Sequence, residues 1–192
     1  MSNNVRSDAS MMWQTNESKY LFKDTWMTVR ADTCTKPDGK IVTPYYVYEF
    51  PDWVTAFAIT KDGKVILEKQ YRHALGQVHY EIPGGCVDKS DYSFQAAVER
   101  ELLEETGYKF DHIEFIGNTS ANPSTNANMM HLFLATGGEY VQKPELDEGE
   151  DIEVQLFTIN EVKELVRTNQ IIQSMHVTCI LYALERLGLL KY

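Results

Sequence analysis

The stretch IPGGCVDKSDYSFQAAVERELLEETGY, Ile82 to Tyr108, places Glu101, Glu104 and Glu105 within one helical turn of each other. An α-helix advances about 100° per residue, so these three carboxylates are expected on one face. Earlier turns of that face carry Phe94, Ala97 and Val98, so an apolar stripe ends in three acids. Like charges at these spacings cost about 0.2 to 0.5 kcal/mol per pair, and a partly buried cluster needs a neutralising partner. A divalent cation bound by oxygens is the simplest one. Ser93 sits where an N-cap is wanted and Gly107 where a helix C-cap is wanted.

Working outward from this stretch, VHYEIP reads as a strand leading into Gly84-Gly85. Before it, WVTAFAIT (53–60) and KVILEKQYR (64–72) flank Lys61-Asp62-Gly63, a hairpin signal because Asp-Gly accepts the positive φ values of a tight turn. Between Tyr20 and Phe50 the β-favouring runs TWMTVRADTC and VTPYYVYEF surround Lys36-Pro37-Asp38-Gly39, which predicts a small antiparallel sheet ahead of the main domain. After the helix, HIEFIGNTS, MHLFLATG and IEVQLFTI read as strands. Asn160 or Thr158 is expected to cap a short helix through Val166. Ser174 is expected to cap a last amphipathic helix carrying Val177, Ile180, Leu181, Leu184 and Leu187. Strands interleaved with two or three helices predict an α/β sandwich. The expected organisation is a flexible N-terminus (1–12), an N-terminal β extension (13–51) and the main domain (52–192).

Composition bounds the function. At 192 residues with 43% hydrophobic content the chain can build a core, and its net charge of −10 disfavours binding to nucleic acid or anionic membranes. Cys34, Cys86 and Cys179 are odd in number and show no CxxC spacing, so neither a disulfide framework nor a zinc site is expected. There is no basic-plus-apolar N-terminal signal and no apolar run near the roughly 20 residues that span a bilayer. A cytoplasmic location is the expectation.

The quoted stretch resembles the Nudix box, whose usual pattern is Gly, five residues, Glu, seven residues, then Arg-Glu-apolar-any-Glu-Glu-any-Gly-apolar. Arg100 to Tyr108 fill its second half. In the first half Asp91 replaces the usual Glu counted from Gly85, and one extra residue separates it from Arg100. Three further elements are similar to the ADP-ribose pyrophosphatase branch: Gln70-Tyr71-Arg72, Glu81-Ile82-Pro83-Gly84-Gly85, and the acidic loop Leu146 to Ile152 with its following strand. The resemblance implies the Nudix fold, an α/β/α sandwich around a mixed sheet, and metal-dependent hydrolysis of a nucleoside diphosphate linked to another moiety.

It further implies Mg2+, with Mn2+ as a substitute, held by Glu101, Glu104, Glu105 and the main-chain carbonyl of Gly84, with Arg100 orienting the carboxylates. Gly84 and Gly85 let the backbone approach the metal and diphosphate. Within the acidic loop Glu150 aligns with the branch's general base, Glu148 being its neighbour; the competing reading is a solvated acidic loop. Arg72 is either a bidentate phosphate clamp or an edge-strand arginine. Trp13, Trp26, Tyr45 and Tyr46 either stack on a base or pack within strands, and the histidines are read as structural. The branch also implies a homodimer through the N-terminal strands. One departure limits the substrate: where the branch shows Ser-Pro-Gly and then an acid, this chain has Ala121-Asn122-Pro123-Ser124-Thr125-Asn126-Ala127-Asn128. Hydrolysis of ADP-ribose or a related nucleotide sugar is the first reading. A nucleotide-sugar sensor without turnover, or hydrolysis of GDP-mannose or a nucleoside triphosphate, are the alternatives.

Overall fold

A computed structural model describes residues 5–190. The chain forms two compact units. One comprises the chain up to Pro51 together with Asn122–Asn128; the other comprises Asp52–Ala121 and the chain from Met129 onward.

The first unit is a three-stranded antiparallel meander of β1 (Gln14–Lys23), β2 (Thr28–Thr35) and β3 (Ile41–Glu49). The 36–39 segment turns the chain as expected, with Gly39 at φ +81° and its N–H donating to the Lys36 carbonyl at 2.9 Å. Strand β1 starts at Gln14, inside the expected extension 13–51 but ahead of the β-favouring runs read from Tyr20 onward. Every residue of β1 is exposed, so Gln14 to Lys19 show none of the apolar alternation by which a strand is recognised. Of the expected flexible N-terminus, residues 1–4 lie outside the described residues, and Asp8–Met11 form an exposed 3-10 turn. Asn122–Asn128 belong to this unit because they continue the hydrogen bonding of β3. Tyr48 N–H donates to Thr125 O at 2.7 Å, Ala127 N–H donates to Tyr48 O at 3.0 Å, and Tyr45 Oη donates to Ser124 O at 2.7 Å.

The second unit is built on a seven-stranded mixed sheet. Its strands are β4 (Trp53–Thr60), β5 (Val65–Arg72), β6 (Gln77–Glu81), β7 (Tyr108–Lys109), β8 (His112–Thr119), β9 (Met130–Tyr140) and β10 (Ile152–Phe157). The central path runs β10-β5-β4-β9-β7, with β6 on β5 and β8 on β9. Among the described strands of this sheet β4 and β9 alone pair in parallel, across the crossover that carries the quoted stretch.

Helices α1 (Phe94–Glu101), α2 (Ile159–Arg167) and α3 (Ser174–Arg186) cover the two faces. Because strand side chains alternate, β4 sends Val54, Ala56 and Ala58 toward Val98 and Leu102, while Phe57 joins Val162, Ile180 and Leu184 on the opposite face. This double burial explains why β4 is apolar at six of its eight positions instead of alternating. Each fully buried Val, Leu or Ile contributes about 1.5 to 3 kcal/mol, which anchors α1 rigidly on the sheet.

Local capping follows the sequence with one change. Ser93 Oγ accepts from Ala96 N–H at 3.1 Å, and Thr158 forms a capping box with Glu161. Helix α3 is capped by Gln173, whose Oε1 accepts from Met175 N–H at 2.7 Å, and not by the expected Ser174. Ser174 is already helical, and the longer amide of Gln173 reaches the same orphan N–H groups.

Candidate active site

The expectation of one regular helix carrying three aligned acids requires correction. After Glu101 the chain widens into a π-helical turn over Leu102–Thr106. Thr106 Oγ1 donates to the Leu102 carbonyl, the acceptor that the next α-helical N–H would use, and Gly107 ends the turn at φ +76°. A wider turn changes the angular phase of every residue after Glu101. Glu101 and Glu105 are turned inward, at 7% and 5% exposure, whereas the Glu104 side chain is 42% exposed. Glu104 instead accepts from Arg100 Nη1 at 2.9 Å.

The loop after β6 lies against both inward acids. Gly84 N–H donates to Glu105 Oε2 at 2.8 Å. A Cβ on Gly84 would stand 2.2 Å from the Val54 carbonyl oxygen, and one on Gly85 would stand 2.6 Å from Glu101 Oε1. Only glycines permit this approach, so the Gly-Gly pair of the motif is explained by the backbone on one side and a carboxylate on the other.

Arg100 is the hub of the box loop. Its Nε and Nη2 donate to Asp91 at 3.2 and 2.9 Å, and Nη2 also donates to Cys86 O at 3.0 Å. Nη1 lies 3.1 Å from Glu101. The Asp91 side chain is itself buried and accepts from Asp88 N–H at 2.8 Å. Asp91 therefore closes the enlarged loop around Arg100, and that guanidinium holds its carboxyl below the ordinary range against the opposing pull of burial.

Two buried glutamates join the helix acids from the sheet. Glu68 on β5 and Glu81 on β6 are direct cross-strand partners, at 4% and 3% exposure. Glu81 is satisfied: Arg72 Nε and Nη2 donate to it at 2.8 and 2.6 Å, and the buried His176 Nδ1 lies 3.7 Å away. Burial acts to raise the Glu81 carboxyl, and the Arg72 hydrogen bonds, with His176, bring it below its usual value. Glu68 has no such partner; its Oε1 is buried without a hydrogen bond. Burial, then the charges of Glu81 and Glu150, push it up to about 8. Burial likewise pushes Glu101 up to about 7 against the pull of Arg100. Glu105 is held well above the carboxylate range by burial and then by the charge of Glu68.

Arg72, read as a candidate phosphate clamp, thus has two nitrogens committed to Glu81, with 48% of its side chain exposed. In the acidic loop, Glu150 Oε2 accepts from Asp147 N–H at 2.9 Å, and its charge acts on Glu68, Glu101 and Glu105. Glu148 is exposed. His131 pairs with Asp52 at 3.0 Å and stacks on Phe94. Sequence reasoning overlooked Glu68, although an acid ending the run Val65-Ile66-Leu67 was a visible signal.

Among the described residues no three carboxyl, imidazole or thiol groups already stand at ligand spacing. The donor set nevertheless fits a hard divalent cation. All its members are oxygens, one buried oxygen lacks a partner, and the glycine loop brings backbone against Glu101 and Glu105. An unneutralised group of buried carboxylates binds protons in place of a cation, which the raised values of Glu68, Glu101 and Glu105 express.

A family model described as NUDIX domain matches residues 50–175, and one described as nucleoside diphosphate sugar hydrolase N-terminal domain matches residues 13–48. The chain is 29% identical over 174 residues to an ADP-ribose pyrophosphatase of Bacillus subtilis (strain 168), covering 90% of this chain and 93% of that one. It is 27% identical over 173 residues to a methanol dehydrogenase activator of Bacillus methanolicus, covering 88% and 91%. In fold it is similar to the crystal structure of an ADP compounds hydrolase, with a TM-score of 0.80 at 18% identity over 93% of this chain and 97% of that chain.

Proposed function

We propose, from the premise that this chain belongs to the NUDIX domain family, that its buried carboxylate site hydrolyses the pyrophosphate bond of a nucleoside diphosphate linked to a sugar. ADP-ribose or a related nucleotide sugar is the favoured substrate, and a nucleoside monophosphate and a sugar phosphate are the products. The observation that carries this reading is the convergence of Glu101 and Glu105 on the Gly84-Gly85 loop. The match of residues 13–48 to a nucleoside diphosphate sugar hydrolase N-terminal domain supports the sugar-linked class.

Nudix hydrolases generally use divalent metals, and Mg2+, with Mn2+ as a substitute, is the cation we assign here. Glu101, Glu105 and the Gly84 carbonyl would hold it. When bound it polarises the diphosphate and lowers the pKa of the attacking water. Around it, Arg100 fixes the angle of Glu101 and keeps Glu104 at the rim of the site. Glu150 accepts the proton of the attacking water once its loop closes. Arg72, held in place by Glu81, offers its remaining nitrogen to a substrate phosphate.

The first unit supplies the assembly we propose. It exposes Tyr20, Leu21, Phe22, Ile41 and Tyr46 on its strands and Trp26 between β1 and β2, and a second copy of this chain would cover them in a homodimer. Sedimentation of the protein at micromolar concentration tests this, and a monomer would refute it. Among the described residues no helix is long and apolar enough to cross a membrane. All three cysteines are free thiols, which supports a reducing, cytoplasmic setting.

Product analysis on ADP-ribose, ADP-glucose, GDP-mannose, NADH and nucleoside triphosphates, with Mg2+, Mn2+ or chelator, tests the function. Metal-dependent release of a nucleoside monophosphate from a nucleotide sugar is the expected result. Tight binding of one member without turnover would make the chain a sensor and overturn the reading.

A further inference from the structure

The geometry points to Glu68 as a further ligand of the divalent cation, completing from strand β5 the set that the helix leaves short. The inference rests on the reading that Glu101 and Glu105 hold that cation. It starts from Glu104, which the quoted motif offers as a ligand but which the π-helical turn diverts to Arg100 at 2.9 Å with its side chain 42% exposed. Two inward helix acids leave positions of an octahedral cation's shell open to a further oxygen ligand.

Glu68 stands where the missing one is wanted. It lies on the strand between β10 and β6, paired with Val154 on one side and Glu81 on the other. Only 4% of it is exposed, and its Oε1 is buried with no hydrogen-bond partner. Its neighbour Glu81 accepts from Arg72 Nε and Nη2, so those donors are committed away from the Glu68 Oε1 atom. The charges that act on Glu68 are those of Glu81, Glu150, Arg72 and Glu101, and Glu68 in turn is the foremost charge acting on Glu105.

A purely structural side chain at this position would be apolar, like Val65, Ile66 and Leu67 before it. An acid placed in a core without a partner destabilises the fold unless something arrives to meet it. A cation shared with Glu105 meets it, and the unpaired oxygen becomes a ligand atom.

Manganese alone is the probe. Free Mn2+ is followed by electron paramagnetic resonance during titration of the full chain, for wild type, Glu68→Gln and Glu105→Gln, and each is melted with and without the ion. Glu68→Gln is expected to weaken binding of one Mn2+ by about tenfold or more. Its metal-free melting temperature should equal or exceed that of wild type, and the rise produced by Mn2+ should shrink. Glu68→Met fills the same space with apolar atoms and should behave alike, which guards against a folding defect peculiar to the amide. Wild-type affinity in Glu68→Gln alongside loss in Glu105→Gln would overturn the role of Glu68 alone. Wild-type affinity in both would overturn the helix site as well.

Discussion

Gly85 and Glu101 stand so close that a single methyl group on the glycine would lie 2.6 Å from the carboxylate oxygen. Gly85→Ala must therefore push Glu101 out of place, and since Gly85 does not occupy a positive-φ backbone region, the fold has no other reason to object. We expect turnover to fall by about 100-fold, the usual effect of misplacing a reacting group by an ångström. The melting temperature should stay within a few degrees. Unchanged kcat at saturating Mg2+ would show that Glu101 is not where catalysis needs it.

Arg100 and Asp91 should behave as one device. Asp91→Ala removes two of the guanidinium's three hydrogen bonds in the box loop, and Arg100→Ala leaves the buried Asp91 carboxyl without its cation. Each single change is expected to lower kcat/KM by about 10- to 100-fold, and the double change by little more than either. Fully additive losses in such a cycle would mean that the two residues act independently.

Within the acidic loop the choice falls on Glu150, whose charge reaches the buried acids. Glu150→Gln should lower kcat by about 100-fold or more, as loss of a general base does, with Mg2+ affinity nearly unchanged. Glu148→Gln should stay within about twofold of wild type. The reverse ranking would move the base two residues along the chain.

His176 makes stability depend on pH in a direction that can be worked out. Burial, and next the opposing charge of Glu81 with Arg72 behind it, leaves its folded pKa at about 4, below the ordinary 6.5. Between these values the unfolded chain holds the proton and the folded one does not, so stability rises with pH across that window and is lost as pH falls through it. The difference amounts to about 3 kcal/mol. Denaturant titrations of wild type and His176→Gln should therefore diverge below pH 6.5, the variant losing less. Parallel pH profiles would rule out a buried neutral imidazole.

Much of the second unit was legible because its signals are local. The Asp62-Gly63 turn, the Ser93 and Thr158 caps and the Gly107 stop each follow from side-chain chemistry within a few residues. The two-sided burial of β4 is equally plain in its composition. What escaped was non-local. Strand β1 lacks a buried face and so lacks a pattern. The widened turn depends on the Thr106 hydroxyl competing for a carbonyl, which no three-acid spacing reveals. Glu68 becomes a site residue only because β6 and β10 flank it. The two hydrogen bonds from Arg72 to Glu81, nine residues along the chain, were likewise invisible until β5 and β6 were seen to pair.

The return of Asn122–Asn128 to the first unit has a consequence for biosynthesis. Tyr45 and its acceptor Ser124 are 79 residues apart in the chain. At about 5 to 20 residues per second, the N-terminal meander waits roughly 4 to 16 s on the ribosome before its last partner emerges. Its exposed aromatic strands are thus on offer to chaperones, or to another nascent copy, before the second unit can be completed.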